Sequence, residues 1–234
     1  MNRPVLIGVG CIQQKDVYSK LDEALILMDK AVNEAIKDTT NREIINYIDE
    51  IQIPKGFWRY RDPGRWIAKK NNMNSLETKV SKIGILQQNL INEACNRIKN
   101  GEINGSLIVG GESRYKLKRA CIENKKYYET KLDINPDKYI KAPNELQLEV
   151  EEKELGHMAV GYYAILESAY RANSNLNLDE HNEFLANIYS NYSQIAAKNK
   201  DAWIDKPYKK NDIKIESKKN SLQAYPYNKY HCTS

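Results

Sequence analysis

Short apolar runs alternate along this chain with stretches in which apolar residues recur at helical spacing, and that alternation sets the expected fold. Residues 4–10 (PVLIGVG) are apolar and end in glycine, the profile of a buried strand running into a tight turn and a candidate central strand. Ser19 can cap a helix whose Leu21, Leu25, Met28, Val32 and Ala35 share one face. Ile48, Ile51 and Ile53 mark a second strand that Pro54 and Gly56 terminate. Asp62 and Pro63 then offer a cap and a first-turn proline for a helix through Lys70. Residues 76–81 read as a third strand, and Ile83, Leu86, Leu90, Ala94 and Ile98 line a helix that Asn100-Gly101 stops. A buried strand over 106–109 follows, running into Gly110-Gly111.

Strands alternating with helices imply parallel pairing with helices on both faces, because a parallel crossover needs a helix-length connection. Residues 1–115 are therefore expected to form an α/β layer. From Arg114 the character changes to more Lys, Asn, Tyr and Glu. A helix over 116–124, a polar connection over 125–154 and a helix over 160–171 are expected. Asn177 with Glu180 makes a capping box for a further helix carrying Phe184, Ile188, Tyr192 and Ile195 on one face. Residues 116–234 thus read as a helical elaboration beside the sheet, ending in an incomplete tail over 206–234 that holds Pro207 and Pro226 and shows little periodicity.

Composition narrows the function classes. The apolar share of 41% is ordinary, but it includes 16 tyrosines, and the mean hydropathy of -0.71 leaves less aliphatic core than 234 residues suggest. The net charge of +5 balances 36 basic against 31 acidic residues, and the lysine clusters at 116–119, 209–210 and 218–219 are short. A nucleic-acid partner is not expected from so mixed a surface. No apolar run approaches the roughly 20 residues of a membrane helix, and Asp16, Lys20 and Asp22 interrupt any signal-peptide pattern. A cytoplasmic protein without a membrane partner is expected.

Candidate chemistry is sparse. Gly8-Val9-Gly10 is followed by Cys11-Ile12-Gln13, so a dinucleotide fingerprint lacks its third glycine and a strand-closing turn is the better reading. The four cysteines, Cys11, Cys95, Cys121 and Cys232, have no spacing for a zinc site, and no metal is expected. Cys95 sits beside the apolar stripe of its helix, and Cys11 has no nameable activating partner. Cys232 adjoins His231, but neighbours in an extended segment point to opposite sides. His157, in the small-residue stretch Gly156-His157-Met158-Ala159-Val160-Gly161, is either a surface residue before a helix or part of a close backbone approach to a ligand. His181, in a charged first turn, is expected to face solvent.

The order of these motifs resembles the N-terminal part of the thiolase superfamily, in particular the bacterial thiolase-like proteins of the acetyl-CoA acetyltransferase group. PVLIGVG and its helix carry the resemblance, with IPKGFWRYRDPGRWIAKK at 53–70 and KIGILQQNLINEACNRIKNGEINGSLIVGGESRY at 82–115. VGYYAILESAYRANSNLNLDEHNEFLANIYSNYSQIAAKNKDAW at 160–203 is similar to the thiolase loop domain that covers the CoA pantetheine arm. The resemblance implies a thiolase-fold layered sheet with an inserted helical loop domain, and a CoA thioester as substrate or ligand with no covalently bound cofactor. His157, Met158 and Gly161 become CoA-binding candidates. It also implies a nucleophilic cysteine at the head of the helix before the Asn100-Gly101 stop, where the helix N-terminus stabilises a thiolate. That place falls on Gly84 or Ile85, and neither can accept an acyl group.

The family's catalytic histidine and second cysteine belong to a C-terminal half, so the chain reads as a fragment, inactive alone, of a protein performing Claisen-type acyl transfer with oxyanion stabilisation by backbone N–H and histidine groups. The alternatives are a non-catalytic CoA-binding thiolase-like protein, a thiolase-fold aldolase subunit with an OB-fold partner and, more remotely, an RNA-binding α/β protein. A homo-oligomer is compatible with the resemblance.

Overall fold

Period-two alternation divides each strand into an apolar and a polar side, and helices cover both. The computed structural model describes residues 2–73, 76–142, 147–156 and 159–217. Strand β1 (Glu50–Pro54) is fully parallel to its neighbours β2 (Glu77–Ser81) and β3 (Ser106–Ile108), and β4 (Lys138–Ile140) runs parallel to β2, giving the order β3-β1-β2-β4. The expected α/β architecture with a parallel sheet is the one observed.

The apolar side carries Ile51 and Ile53 of β1 and Val80 of β2, all buried. Helix α1 (Ala24–Asp38) and helix α2 (Pro63–Lys70) supply Leu25, Met28, Val32 and Ile67 to the same core. Asp62 caps α2 as its sequence predicts, accepting from the Arg65 N–H at 2.9 Å, and Pro63 stands in the first turn. Register places Ile51 beside Thr78 and Leu107, and Ile53 beside Val80, so one row of β1 side chains meets both neighbours.

The other side is polar and still buried. Glu50, Gln52, Lys79 and Ser81 lie there beneath helix α3 (Gln87–Lys99), which contributes Leu90 and Ala94. Lys79 Nζ stands 2.7 Å from Glu50 and 3.1 Å from Glu93, while Arg97 pairs with Glu50 and lies 3.1 Å from Glu77. Gln52 Nε2 donates to Glu50 Oε1 at 2.8 Å. Buried charge of this kind is tolerated only when paired and hydrogen-bonded. Helix α3 starts after Ile83 and Leu86, which are exposed in the preceding turn and not on its packed face.

Residues 4–10 do not form the expected central strand. Residues 2–15 carry no regular structure, and Val5, Leu6, Ile7 and Val9 are exposed. A strand exists only through its ladder, and residues 4–10 form none with the four strands of the sheet. The run instead lies along α1: the Val9 N–H donates to Asp38 Oδ2 at 2.9 Å, and a Cβ on Gly8 or Gly10 would strike the Ala35 or Ala31 carbonyl. Gly8 and Gly10 thus serve close approach to a helix.

Contacts divide the chain into the units Met1–Leu146 and Gln147–Ser234, where a boundary at residue 115 was expected. Helix α4 (Arg114–Ile122) and β4 fall in the first unit. Strand β4 lies in the stretch expected to be only a polar connection. Side-chain bonds hold its approach: Asp137 accepts from the Thr78 N–H at 2.8 Å and from Arg65 Nη2 at 2.7 Å.

The second unit contains α5 (Glu149–Leu155), α6 (Ala159–Asn173), α7 (Leu178–Ala196) and α8 (Lys210–Lys214). Asn177 and Glu180 form the predicted capping box, at 3.0 Å and 2.9 Å. The buried face of α7 is not the expected one. It consists of His181, Leu185, Ala186, Ser190 and Ser193, whereas Tyr192 and Ile195 are exposed. His181 is therefore a buried residue, with Nε2 2.9 Å from Glu167 Oε2 and rings of Tyr170 and Phe184 beside it. Polar first-turn neighbours suggested solvent, but α6 covers this position.

Candidate functional site

The residues singled out from the sequence fall in different parts of the chain. Gly84 lies in the turn before α3 with φ 103°, a conformation that favours glycine, and it is exposed. Ile85 is half-buried. No cysteine, serine or threonine stands in the 82–88 stretch that leads into α3, and Cys95 is half-buried well along that helix. Cys11 and Cys121 are exposed, and Cys232 lies outside the described residues. His157 and Met158 also lie outside the described residues. Gly161 is in the first turn of α6, where the space of a Cβ is taken by the Leu155 backbone. Among the described residues, no group of three or more histidines, cysteines or carboxylates could hold a metal ion. No helix there is long and apolar enough to cross a membrane.

A cavity lies elsewhere in the first unit, where the chain leaves the carboxyl ends of β1 and β3. It encloses about 780 Å³, within the range of small-molecule sites. Ligands of open parallel sheets bind outside these strand ends. Residues 57–61 follow β1, residues 112–117 follow β3 and open α4, and residues 127–133 close the wall.

Hydrogen bonds to carboxylates fix the first of these loops. Glu112 Oε1 accepts from the Phe57 N–H at 2.5 Å, and Glu129 Oε2 accepts from the Arg59 N–H at 3.0 Å. Trp58 is buried, its Nε1 donating to the Gly111 carbonyl at 3.0 Å, and it stacks on Tyr60 with ring centroids 5.1 Å apart. Tyr60 donates to Glu23 Oε2 at 2.8 Å, and Thr130 donates to the same carboxylate through its N–H at 2.7 Å. Burial together with Glu23 raises the Tyr60 hydroxyl above the usual tyrosine range; burial and Glu129 do the same for Tyr127. Both rings therefore stay neutral donors at physiological pH.

Cations stand on these loops and behind them. Burial lowers the Lys55 ammonium below the usual lysine range against the pull of Glu129 and Glu112; it donates to the Trp58 carbonyl and sits 4.0 Å from that ring's centroid. The Arg114 guanidinium lies 4.6 Å from the Phe57 ring centroid. Arg61 Nη1 donates to the Asp133 carbonyl at 3.0 Å. Helix α4 has no acidic residue in its first turn, and Ser113 Oγ donates to the Asp22 carbonyl instead of capping that helix. The arrangement presents fixed cations and aromatic faces with much of the local carboxylate capacity committed to backbone N–H groups.

Sequence reasoning missed this site, although its signal was present. Phe57-Trp58-Arg59-Tyr60-Arg61 interleaves aromatics and arginines directly after a strand end. The contribution of residues 127–133 had no such mark, because those residues reach the cavity only through the tertiary fold.

No family model matches the chain, and no curated protein matches it. Among solved structures, the fold is similar to that of a monomeric SCP2-thiolase like protein type 1 from Mycobacterium smegmatis, with a TM-score of 0.67 and 18% sequence identity over 92% of this chain. The chain spans 39% of the length of that protein. At this identity the likeness establishes a thiolase-like fold.

Proposed function

We propose that this chain is the N-terminal α/β layer and helical region of a thiolase-fold protein of acyl-CoA metabolism, and that it binds a CoA thioester without supplying the acyl-accepting nucleophile. One observation carries the reading: the turn leading into α3 presents Gly84 at φ 103° followed by Ile85, with no thiol or hydroxyl at the place where the resembled family keeps its cysteine. A thiolate there would gain from the helix N-terminus. Glycine in that conformation leaves only backbone, so the chain's own contribution is binding and orientation. Claisen-type chemistry, if the complete protein performs it, draws its nucleophile and proton carriers from residues other than these.

The test is thiolysis of acetoacetyl-CoA by the purified 234-residue chain, followed with direct measurement of acetyl-CoA binding. The expected outcome is binding with no turnover above the buffer rate. Turnover, or the absence of any acyl-CoA binding, overturns the proposal.

A further inference from the structure

We propose that the cavity at the carboxyl ends of β1 and β3 binds the phosphorylated nucleotide portion of a small-molecule ligand, with Arg59 and Arg114 on phosphate and the Phe57 and Tyr128 rings beside the base. The inference rests on the acyl-CoA reading and deepens it, since coenzyme A ends in such a nucleotide.

Two arginines carry the argument. The Arg59 side chain has no hydrogen-bond or ion-pair partner among the described residues, although its backbone N–H is fixed by Glu129 at 3.0 Å. Arg114 has no ion pair there either; its guanidinium lies against the Phe57 ring at 4.6 Å. A guanidinium stacked on an aromatic face keeps its edge donors free, and that fork matches two phosphate oxygens.

Among the described residues the acids of this cavity form no ion pair with either arginine and hold the loop instead. Glu112 Oε1 accepts from the Phe57 N–H at 2.5 Å, and the two oxygens of Glu129 accept from the Arg59 N–H at 3.0 Å and the Tyr127 hydroxyl at 3.3 Å. Asp133 is the remaining acid, and its carboxylate pairs loosely with Lys131 at 3.8 Å. The carboxylates thus shape the loop. Phe57 and Tyr128 are 70% and 69% exposed, which leaves flat apolar faces where a purine ring can stack. A volume of about 780 Å³ accepts a nucleotide but is generous for a lone anion.

Free adenine nucleotides and coenzyme A share this chemistry, so the test has separate arms. Calorimetric titration of the 234-residue chain uses ADP, coenzyme A and pantetheine in turn. ADP and coenzyme A are expected to compete with one another, and pantetheine to leave ADP binding unchanged. Arg59→Ala with Arg114→Ala should weaken both nucleotides about 100-fold, on the order of tenfold for each lost charged hydrogen bond. Both side chains are exposed, so the fold should survive. The double lysine variant keeps the charge but loses the fork and should fall between the two.

ADP that fails to bind, or that binds the double alanine variant unchanged, overturns the inference. Acetyl-CoA binding that survives the loss of both arginines and is displaced by pantetheine also overturns it, while leaving the acyl-CoA reading intact. ADP binding that is sensitive to the arginines, without any binding of acetyl-CoA, supports the inference and removes the acyl-CoA reading.

Discussion

The two sides of the sheet bury their residues by opposite means. Beneath α1 and α2, Ile51, Ile53 and Val80 form part of one continuous apolar core. Beneath α3, Glu50, Gln52, Lys79 and Ser81 are equally hidden, but they are held by ion pairs and hydrogen bonds. The apolar side gains from removing surface from water, a non-directional effect that tolerates small shifts. The polar side gains only while its geometry is intact, because each charge carries a desolvation cost that its partner must offset. The polar side therefore positions α3 through directed bonds, and with it the Gly84 turn.

Substitutions can separate the two. A large loss is expected from Glu50→Ala, which removes the fully buried carboxylate that Lys79 and Arg97 share, leaves them only the more exposed Glu77, Glu93 and Glu102, and should cost about 3 kcal/mol in chemical denaturation. Adding Lys79→Met to Glu50→Leu should recover most of that loss, since an apolar pair of similar volume avoids the desolvation cost. If the double variant is no more stable than Glu50→Ala, the pair is not the source of the effect. On the apolar side, Ile53→Ala should cost about 2–5 kcal/mol through lost burial and a cavity, and no second substitution across the strand should restore it.

The smallest effect belongs to the exposed clamp on β4. Hydrogen bonds from Thr78 and the charge of Arg65 hold the Asp137 carboxyl below the usual aspartate range. A lowered folded value contributes stability above the ordinary aspartate range and loses it as pH falls through the folded value. Asp137→Asn should therefore lower stability by no more than about 1 kcal/mol near neutral pH. The gap from the parent chain should close in acid, and a constant gap across pH would mean that charge is not involved.

The same contrast explains what was legible in the sequence. Helices α1, α2 and α3 and strands β1, β2 and β3 were readable because local periodicity, the Asp62-Pro63 cap and the Gly101 stop all act within a few residues. Residues 4–10 were misread because apolar character marks a strand only where a ladder forms, and this run packs its glycines against the Ala31 and Ala35 carbonyls of α1 instead. Strand β4 was missed because Thr78 and Arg65 hold its approach, and both are distant in sequence. His181 was misassigned because burial of α7 depends on α6 and not on its own first turn. The cavity was half legible: its Phe57–Arg61 wall announces itself, whereas Glu112 and Glu129 acquire their roles only when the fold brings them to that loop.

The cluster of Glu50, Lys79 and Arg97 also constrains how a lineage carrying this sheet can drift. A single replacement at Glu50 leaves the buried Lys79 ammonium with only the more exposed Glu77 and Glu93, so an intermediate bearing only that change is expected to be less populated as a folded protein. Ile53 can pass through valine at modest cost. Glu50 has no comparable neighbour, and its path to an apolar residue runs through a change at Lys79 first or at the same time. The side of the sheet beneath α3 is thus inherited as a unit, while the opposite side can be revised one residue at a time.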